Sequence, residues 1–216
     1  MELTQEMSKV ELSGLEARYY DTLMNVVTLG WYPGFIRSVV EAMELRPGER
    51  ILDFGAGTGR NALLMREKIG EEGAIVGLEI GPEMKEAFER KTAGYDTIRL
   101  EDRRIDETLP YREEFDRVFI SFVLHGFVQE KRERIIENAY RALVPGGVFS
   151  ILDYDNFDVD RAPWWIRLAI RKVECPLAED FIRRDTREML ERHGFREFRR
   201  QGSWLKGSIR LLEAVK

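Results

Sequence analysis

The stretch Arg50-Ile51-Leu52-Asp53-Phe54-Gly55-Ala56-Gly57-Thr58-Gly59-Arg60-Asn61 constrains this chain more than any other. Its apolar start reads as a short buried strand, and its glycines as a tight turn into a helix that begins near Asn61. Glycines two apart let a ligand lie against bare backbone, and the helix that follows offers N–H groups with no partner inside the helix. The competing reading is a dinucleotide fingerprint, G-x-G-x-x-G/A. Here the sixth position is Arg60, and a third glycine, Gly59, comes one residue early. Asp53 stands two residues before the first glycine. A carboxylate there suits a ligand carrying an ammonium group better than one carrying pyrophosphate.

The strand-then-helix rhythm continues along the chain. Strands are expected at 74–80, 97–100, 116–122 and 148–153. Helices are expected at 61–68, at 82–91 with Pro82 in the first turn, and at 129–143, the last stopped by Pro145-Gly146-Gly147. Such alternation implies right-handed βαβ units and a mainly parallel sheet. Two final runs, 195–201 and 208–215, lie close enough to pair antiparallel at one edge. The predicted class is therefore α/β, a doubly wound seven-stranded sheet with an antiparallel edge strand. Upstream, residues 19–45 have a helical pattern in which Phe35, Ile36, Val39, Val40 and Met43 share one face. Residues 1–17 are polar and read as frayed or helical.

No repeat, low-complexity tract or Gly/Ser linker divides the 216 residues. One unit is expected, with a helical cap over 1–46 and a ligand-binding core over 47–153. A lid and helix would span 154–193, and the final strands 194–216. Net charge is −5, so the chain lacks the basic field of a dedicated nucleic-acid binder. The single cysteine, Cys175, excludes an intramolecular disulfide and argues against a Cys-based zinc site; no metal is expected. The first residues do not pair a basic start with an apolar run, and no apolar stretch is long enough for a bilayer, so a soluble cytoplasmic protein is expected.

Two further acids fall at strand ends. Glu79 closes the apolar run Gly77-Leu78-Glu79-Ile80, where a carboxylate can accept from both hydroxyls of a ribose. Glu101-Asp102 ends the third strand, where a carboxylate can meet an adenine amino group. In this order, and with Phe115-Asp116-Arg117-Val118-Phe119-Ile120-Ser121 and Leu143-Val144-Pro145-Gly146-Gly147 behind them, residues 50–153 resemble the class I S-adenosylmethionine-dependent methyltransferases. The resemblance implies a Rossmann-like fold and S-adenosyl-L-methionine as cofactor. It implies that Asp53 and the turn Gly55, Ala56, Gly57, Thr58 and Gly59, with Asn61, hold the methionine end. Glu79 would hold the ribose, and Ile80 and Met84 would sandwich the adenine. Asp102, with Arg103 beside it, would meet the adenine amino group, and Ser121 and Phe122 would line the wall. Within that class, Tyr19-Tyr20-Asp21-Thr22-Leu23-Met24-Asn25 to Leu29-Gly30-Trp31 is similar to the ubiquinone/menaquinone-biosynthesis methyltransferases. That group tends to have Arg-Asn where this chain has His125-Gly126.

Methyl transfer from a sulfonium is chiefly a matter of positioning, and a base is needed only where the acceptor must lose a proton. His125 follows the fourth strand on the ligand-binding side of such sheets, and Asp153, Tyr154 and Tyr20 are the next candidates. The catalytic set expected is His125, Asp153 and Tyr20. His193 reads as a helix C-terminal cap. Residues 183–200 hold seven arginines and four acids, which reads as a solvated helix with i, i+4 pairs rather than an RNA-binding face. The segment 161–172 reads as a helix with Trp164, Trp165, Leu168 and Ala169 on one face. It would either roof a small-molecule acceptor pocket or rest on a membrane surface through Trp164 and Trp165. The function expected is methylation of a small, apolar or quinol-like acceptor. The alternatives are an RNA or protein methyltransferase and a non-catalytic cofactor-binding regulator.

Overall fold

In the computed structural model, which describes residues 3–8 and 30–216, seven strands form one sheet in the order β3-β2-β1-β4-β5-β7-β6. The strands are β1 (Arg50–Phe54), β2 (Ala74–Leu78), β3 (Ile98–Glu101), β4 (Phe115–Ser121), β5 (Leu143–Tyr154), β6 (Arg196–Trp204) and β7 (Ile209–Val215). Strands β1 to β5 are parallel, whereas β7 runs antiparallel to both of its neighbours, β5 and β6. The chain moves outward from β1 through β2 to β3, then returns and moves the other way through β4 to β5. The sense of winding therefore reverses between β1 and β4, and the crevice beyond their carboxyl ends is where open α/β sheets bind ligands.

Helices α1 (Trp31–Ala42), α2 (Arg60–Ile69) and α3 (Pro82–Thr92) cover one face of the sheet. There Phe35, Ile36, Val39, Val40 and Met43, the expected apolar stripe, pack with Ile51, Met65, Ile75 and Phe88. The other face is covered by α4 (Gln129–Ala142) and, nearer the C-terminus, by α6 (Pro176–Arg183) and α7 (Thr186–Arg192). Leu52, Phe54, Val118, Ile120 and Ile151 point to that side, against Ile135, Ile136, Ala139 and Leu190. With both faces buried, the central strands can be nearly all apolar, which is why they read as continuous runs in the sequence.

Three expectations change. Helix α4 ends at Ala142, not at 143, and the strand starts at Leu143 rather than 148. Leu143 already pairs with Phe115, and the Pro145-Gly146-Gly147 stretch lies inside β5, at a register shift with Gly146 at φ +80°. The helix expected over 161–172 is a short α5 (Trp164–Leu168) that runs into a π turn, Ala169–Val173. Its buried residues are Ile166 and Ile170, packed with Val159 and Ile182, while Trp164 (71% exposed), Trp165 (38%) and Leu168 (52%) face outward. The face that this segment packs against the rest of the fold is thus the isoleucine face, and the tryptophan face is left exposed. The expected N-terminal helix is described only from Trp31; Tyr19 to Leu29, including the candidate Tyr20, lie outside the described residues. Within the polar first residues, Gln5–Met7 form a 3-10 turn.

Candidate active site

The turn after β1 is shaped by backbone that other residues adopt only with strain. Gly55, Gly57 and Gly59 have φ of +71°, +54° and +78°. A Cβ on Gly55 would stand 2.9 Å from the Val123 side chain, and one on Gly59 would stand 3.0 Å from Phe88 of α3. The early third glycine is thus explained: Gly59 is the left-handed N-cap of α2 and the place where α3 comes closest to the turn. Arg60, the next residue, lies with its guanidinium 5.3 Å from the Tyr32 ring centroid and so ties the turn to α1. Lys91 of α3 donates to the Thr58 hydroxyl at 2.8 Å.

Glu79 organises the second strand's end. Its carboxylate accepts from the backbone N–H of Gly57 (3.0 Å), Ile80 (2.9 Å) and Gly81 (2.8 Å), clamping the glycine turn to β2. Ile80 stays half-buried and Met84 is buried beside it. At the end of β3, Asp102 is exposed and pairs with Lys85 of α3 at 2.5 Å, while Arg103 turns back to Glu101 at 2.7 Å. Asn61 is half-buried in the first turn of α2. Ser121 and Phe122 end β4 across the reversal point from the turn. Phe122 has φ +53°, a conformation costing about 1–3 kcal/mol in a non-glycine residue, and its N–H is held by the Leu152 carbonyl at 2.8 Å.

Asp53 is buried to 1% exposure, and its Oδ2 has no hydrogen-bond partner. Burial first, and then the charge of Glu79, raise its carboxyl to about 7. An unsatisfied buried carboxylate at the head of a backbone cradle is a site for a cation, and the ammonium of a methionine moiety fits it.

On the other side of the crevice the arrangement is made by side chains. His125, in a 3-10 turn after β4, is 4% exposed. Its Nδ1 lies 2.8 Å from Asp153 Oδ1, and its backbone N–H donates to Asp153 Oδ2 at 3.2 Å. Glu174, after the π turn, stands 3.6 Å from His125 Nε2 and accepts from the Tyr154 hydroxyl at 2.8 Å. Burial alone would lower the His125 imidazole, but Asp153 and then Glu174 outweigh it and raise it to about 10. Burial, followed by the charge and hydrogen bond of Glu174, pushes the Tyr154 phenol far above its ordinary range. Phe122 packs edge-on to Tyr154, and Tyr154 edge-on to His125, so an aromatic wall runs from the end of β4 to this cluster.

The lid is fastened to His125 through the core. Arg132 of α4, 0% exposed, donates to the carbonyls of Leu124, His125 and Leu177 and to Asp180 of α6. Gln5 also holds this loop, donating to the Gly126 carbonyl and accepting from Val128 N–H, both at 3.1 Å. Glu174, Arg132 and Gln5 were not singled out in the sequence; a buried Arg or a lid Glu looks locally like any helix-surface charge. His193 occupies the C-cap of α7, as expected, with its ring on Glu133 at 2.6 Å. The arginines at 183, 184, 187, 192 and 200 all pair with acids. Among the described residues no group of His, Cys, Asp and Glu could hold a metal ion, and no helix is long and apolar enough to cross a membrane.

Comparison with known proteins agrees with this geometry. Residues 51–147 match the family model of a methyltransferase domain. The ubiquinone/menaquinone biosynthesis C-methyltransferase UbiE of Xanthomonas campestris pv. campestris is 30% identical over 151 residues, 67% of this chain and 57% of that protein. The demethylmenaquinone methyltransferase of Lactobacillus johnsonii is 26% identical over 159 residues, 71% of this chain and 64% of that one. The crystal structure of a SAM-dependent methyltransferase from Aquifex aeolicus shares the fold, with a TM-score of 0.62 at 18% identity, covering 83% of this chain and 88% of that chain. The family match makes residues 51–147 a methyltransferase domain, and with the fold and the glycine turn it supports a class I S-adenosylmethionine-dependent methyltransferase. Within that class it resembles the UbiE group, and it spans somewhat more than half the length of the first of those relatives. S-adenosylmethionine is the cofactor of the class, and the Asp53 carboxylate, the glycine cradle and the Glu79 clamp fit it.

Proposed function

We propose that this chain transfers a methyl group to a small, apolar or quinol-like acceptor. The observation that carries the reading is the aromatic wall of Phe122 and Tyr154 at the ends of β4 and β5, beside which the lid is fastened through the Tyr154–Glu174 and Arg132–Asp180 contacts. Bound S-adenosylmethionine would supply an electrophilic methyl group on a sulfonium. Asp53 would hold its ammonium, Gly55 to Gly59 and Asn61 its methionine end, and Glu79 its ribose. Ile80 and Met84 would enclose the adenine, with Asp102 released from Lys85 to meet the adenine edge and Arg103 flanking it. Ser121 and Phe122 would form the wall next to the methyl group. His125, held as an imidazolium by Asp153, keeps the acceptor side in shape and balances its carboxylates. Tyr20, if the N-terminal segment reaches the crevice, adds a hydroxyl there. The quinone relatives favour a ring-bearing acceptor.

The outward tryptophans favour a second reading about access rather than chemistry. Trp164, Trp165 and Leu168 form an exposed apolar edge beside Arg161 and Arg167, suited to peripheral contact with an anionic membrane from which a lipid-soluble acceptor is drawn. The test is methyl transfer from labelled cofactor to a panel of hydroquinones and phenols, beside bulk RNA and protein. Label appearing only in RNA or protein would overturn the small-acceptor reading. Tight cofactor binding with no transfer to any member would favour a non-catalytic regulator.

A further inference from the structure

All four tryptophans of the chain stand at the carboxyl end of the sheet, on three separate elements. Trp164 and Trp165 are on the lid helix α5, Trp31 opens α1, and Trp204 ends the edge strand β6. Phe35 ties the last two together. Its ring stacks on Trp31 at 4.7 Å, meets Trp204 edge-on at 5.2 Å and lies 6.3 Å from Phe122 at the end of β4. Among the described residues, the large apolar side chains left exposed follow the same distribution. Trp31, Trp164, Trp165, Leu168 and Leu205 lie at this end, and Tyr95, just before β3, lies at the other. The turn from β6 to β7 adds an independent observation. Leu205 and Lys206 have φ of +47° and +56°, the left-handed region that hairpin turns usually fill with Asn and Gly. This strained backbone holds a leucine 41% exposed, with an exposed lysine beside it. Trp204 braces the turn, its ring folded back over Gly202, where a Cβ would collide with it.

We propose that the carboxyl end of the sheet rests on an anionic lipid surface, with Leu205 and Lys206 as an anchor separate from the lid tryptophans. This deepens the membrane-access reading above and rests on it. Charge selects the occupant. The chain carries −5 overall, yet Arg161, Arg167, Lys172 and Lys206 flank the exposed apolar residues, and the acids among them, Asp158 and Asp160, pair with Arg161 and Arg171. Shape selects it too. The apolar tips belong to a helix over one face, to the lid and to the edge of the sheet. A lipid surface receives separate tips, whereas a protein partner packs against a continuous patch. Tryptophan at the headgroup level, leucine below it and lysine toward anionic phosphates match the layers of that surface. The crevice between the tips then opens against the lipid, and an apolar acceptor enters without crossing water.

The experiment is co-sedimentation of the full chain with vesicles of phosphatidylcholine and phosphatidylglycerol, beside vesicles of phosphatidylcholine alone. Wild type is expected to bind the mixed vesicles about tenfold or more tightly, because several cationic side chains reach the anionic surface. Leu205→Asn with Lys206→Gly gives the turn the residues its backbone prefers. That variant is expected to melt higher than wild type, yet to bind the mixed vesicles about tenfold or more weakly, with one leucine and one lysine withdrawn from the lipid. Its S-adenosylhomocysteine affinity should be unchanged. A variant that melts higher and still binds as wild type does would overturn the inference. Should the new turn shift the hairpin, Leu205→Ser decides: weaker vesicle binding supports the anchor, and wild-type binding removes it. Loss of binding in Trp164→Ala with Trp165→Ala but not in the turn variant sinks this inference alone. Wild type that ignores both kinds of vesicle sinks the membrane-access reading with it. A concentration-dependent dimer abolished by the turn variant, with no vesicle binding, assigns the face to a second copy instead.

Discussion

The glycine turn at 55–59 and the lid at 159–183 both stand at the carboxyl ends of the strands, yet they are held in unlike ways. Backbone makes the turn: three left-handed glycines, a carboxylate that clamps N–H groups, and helix α3 pressed close where a Cβ would not fit. Side chains make the lid site: an imidazolium between two carboxylates, a phenol, and a buried guanidinium gripping three carbonyls. A surface of backbone dictates shape and tolerates little change, because the atoms it offers are the same in every residue. A surface of side chains can be retuned one residue at a time, as suits the half of a methyltransferase that meets a varying acceptor.

Substitutions in the two regions should separate them. The largest effect is expected at Gly55→Ala, which forces a Cβ to 2.9 Å from Val123 and strains a φ of +71°. Strain of about 1–3 kcal/mol plus a displaced wall should weaken S-adenosylhomocysteine binding about hundredfold. A calorimetric loss of under threefold would break the contrast, since the turn would then be as adaptable as the lid. Next is Glu79→Ala, which removes the acceptor of three N–H groups. It should cost tenfold or more in cofactor affinity, at roughly 1.5–3 kcal/mol for a charge-assisted bond, in a protein that still unfolds cooperatively.

Asp53→Asn sharpens the comparison through pH. The folded carboxyl titrates at about 7, against an ordinary value of 3.8. A raised pKa means that the favourable contribution to folding is complete below 3.8 and is lost as pH rises toward about 7. Without cofactor, Asp53→Asn should therefore melt higher than wild type at pH 8, by roughly 2–4 °C for each kcal/mol recovered, and lose that advantage at acidic pH. Its cofactor affinity should fall at the same time. Scanning calorimetry at several pH values checks the first half, and a variant that melts lower at pH 8 would remove the assigned strain. His125 has the same sign in a higher window: its contribution is complete below 6.5 and is lost as pH climbs from there through about 10.

The smallest effect is expected at the outward edge of the lid. Trp164→Ala with Trp165→Ala should change stability by no more than about 0.5 kcal/mol per site, whereas Ile166→Ala, one residue on, should cost about 2 kcal/mol or more. Urea unfolding ranks them. The double variant should also keep wild-type cofactor affinity, and the membrane reading requires it to lose co-sedimentation with anionic vesicles.

The same contrast sets how much was legible in the sequence. Gly55, Gly57, Gly59, Asp53 and Glu79 could be named because a backbone cradle leaves local traces: glycines where φ must be positive, and an acid where an apolar strand stops. The parallel sheet was legible for a similar reason, since strands buried on both faces are apolar throughout. His125 and Asp153 were named from their places at strand ends, and they meet at 2.8 Å. Glu174 and Arg132 were not, because their partners lie far away along the chain: Arg132 meets Asp180, and Glu174 meets His125. The packing stripe of the lid was not legible, because the tryptophan stripe is the more apolar one but Ile166 and Ile170 are the residues with a core to enter. The Pro145-Gly146-Gly147 stretch was read as a stop when it is a bulge within β5.

Strand β5 is twelve residues long and takes its outer hydrogen bonds from β7, over seven register pairs from Val148 to Tyr154. As the chain leaves the ribosome, β7 follows only after the whole lid has been made. At about 5–20 residues per second, β5 spends on the order of several seconds as a long apolar edge with no strand beside it. The lid, besides serving the crevice, is thus a delay written into synthesis, and a nascent chain paused within it would expose the surface most prone to join another copy.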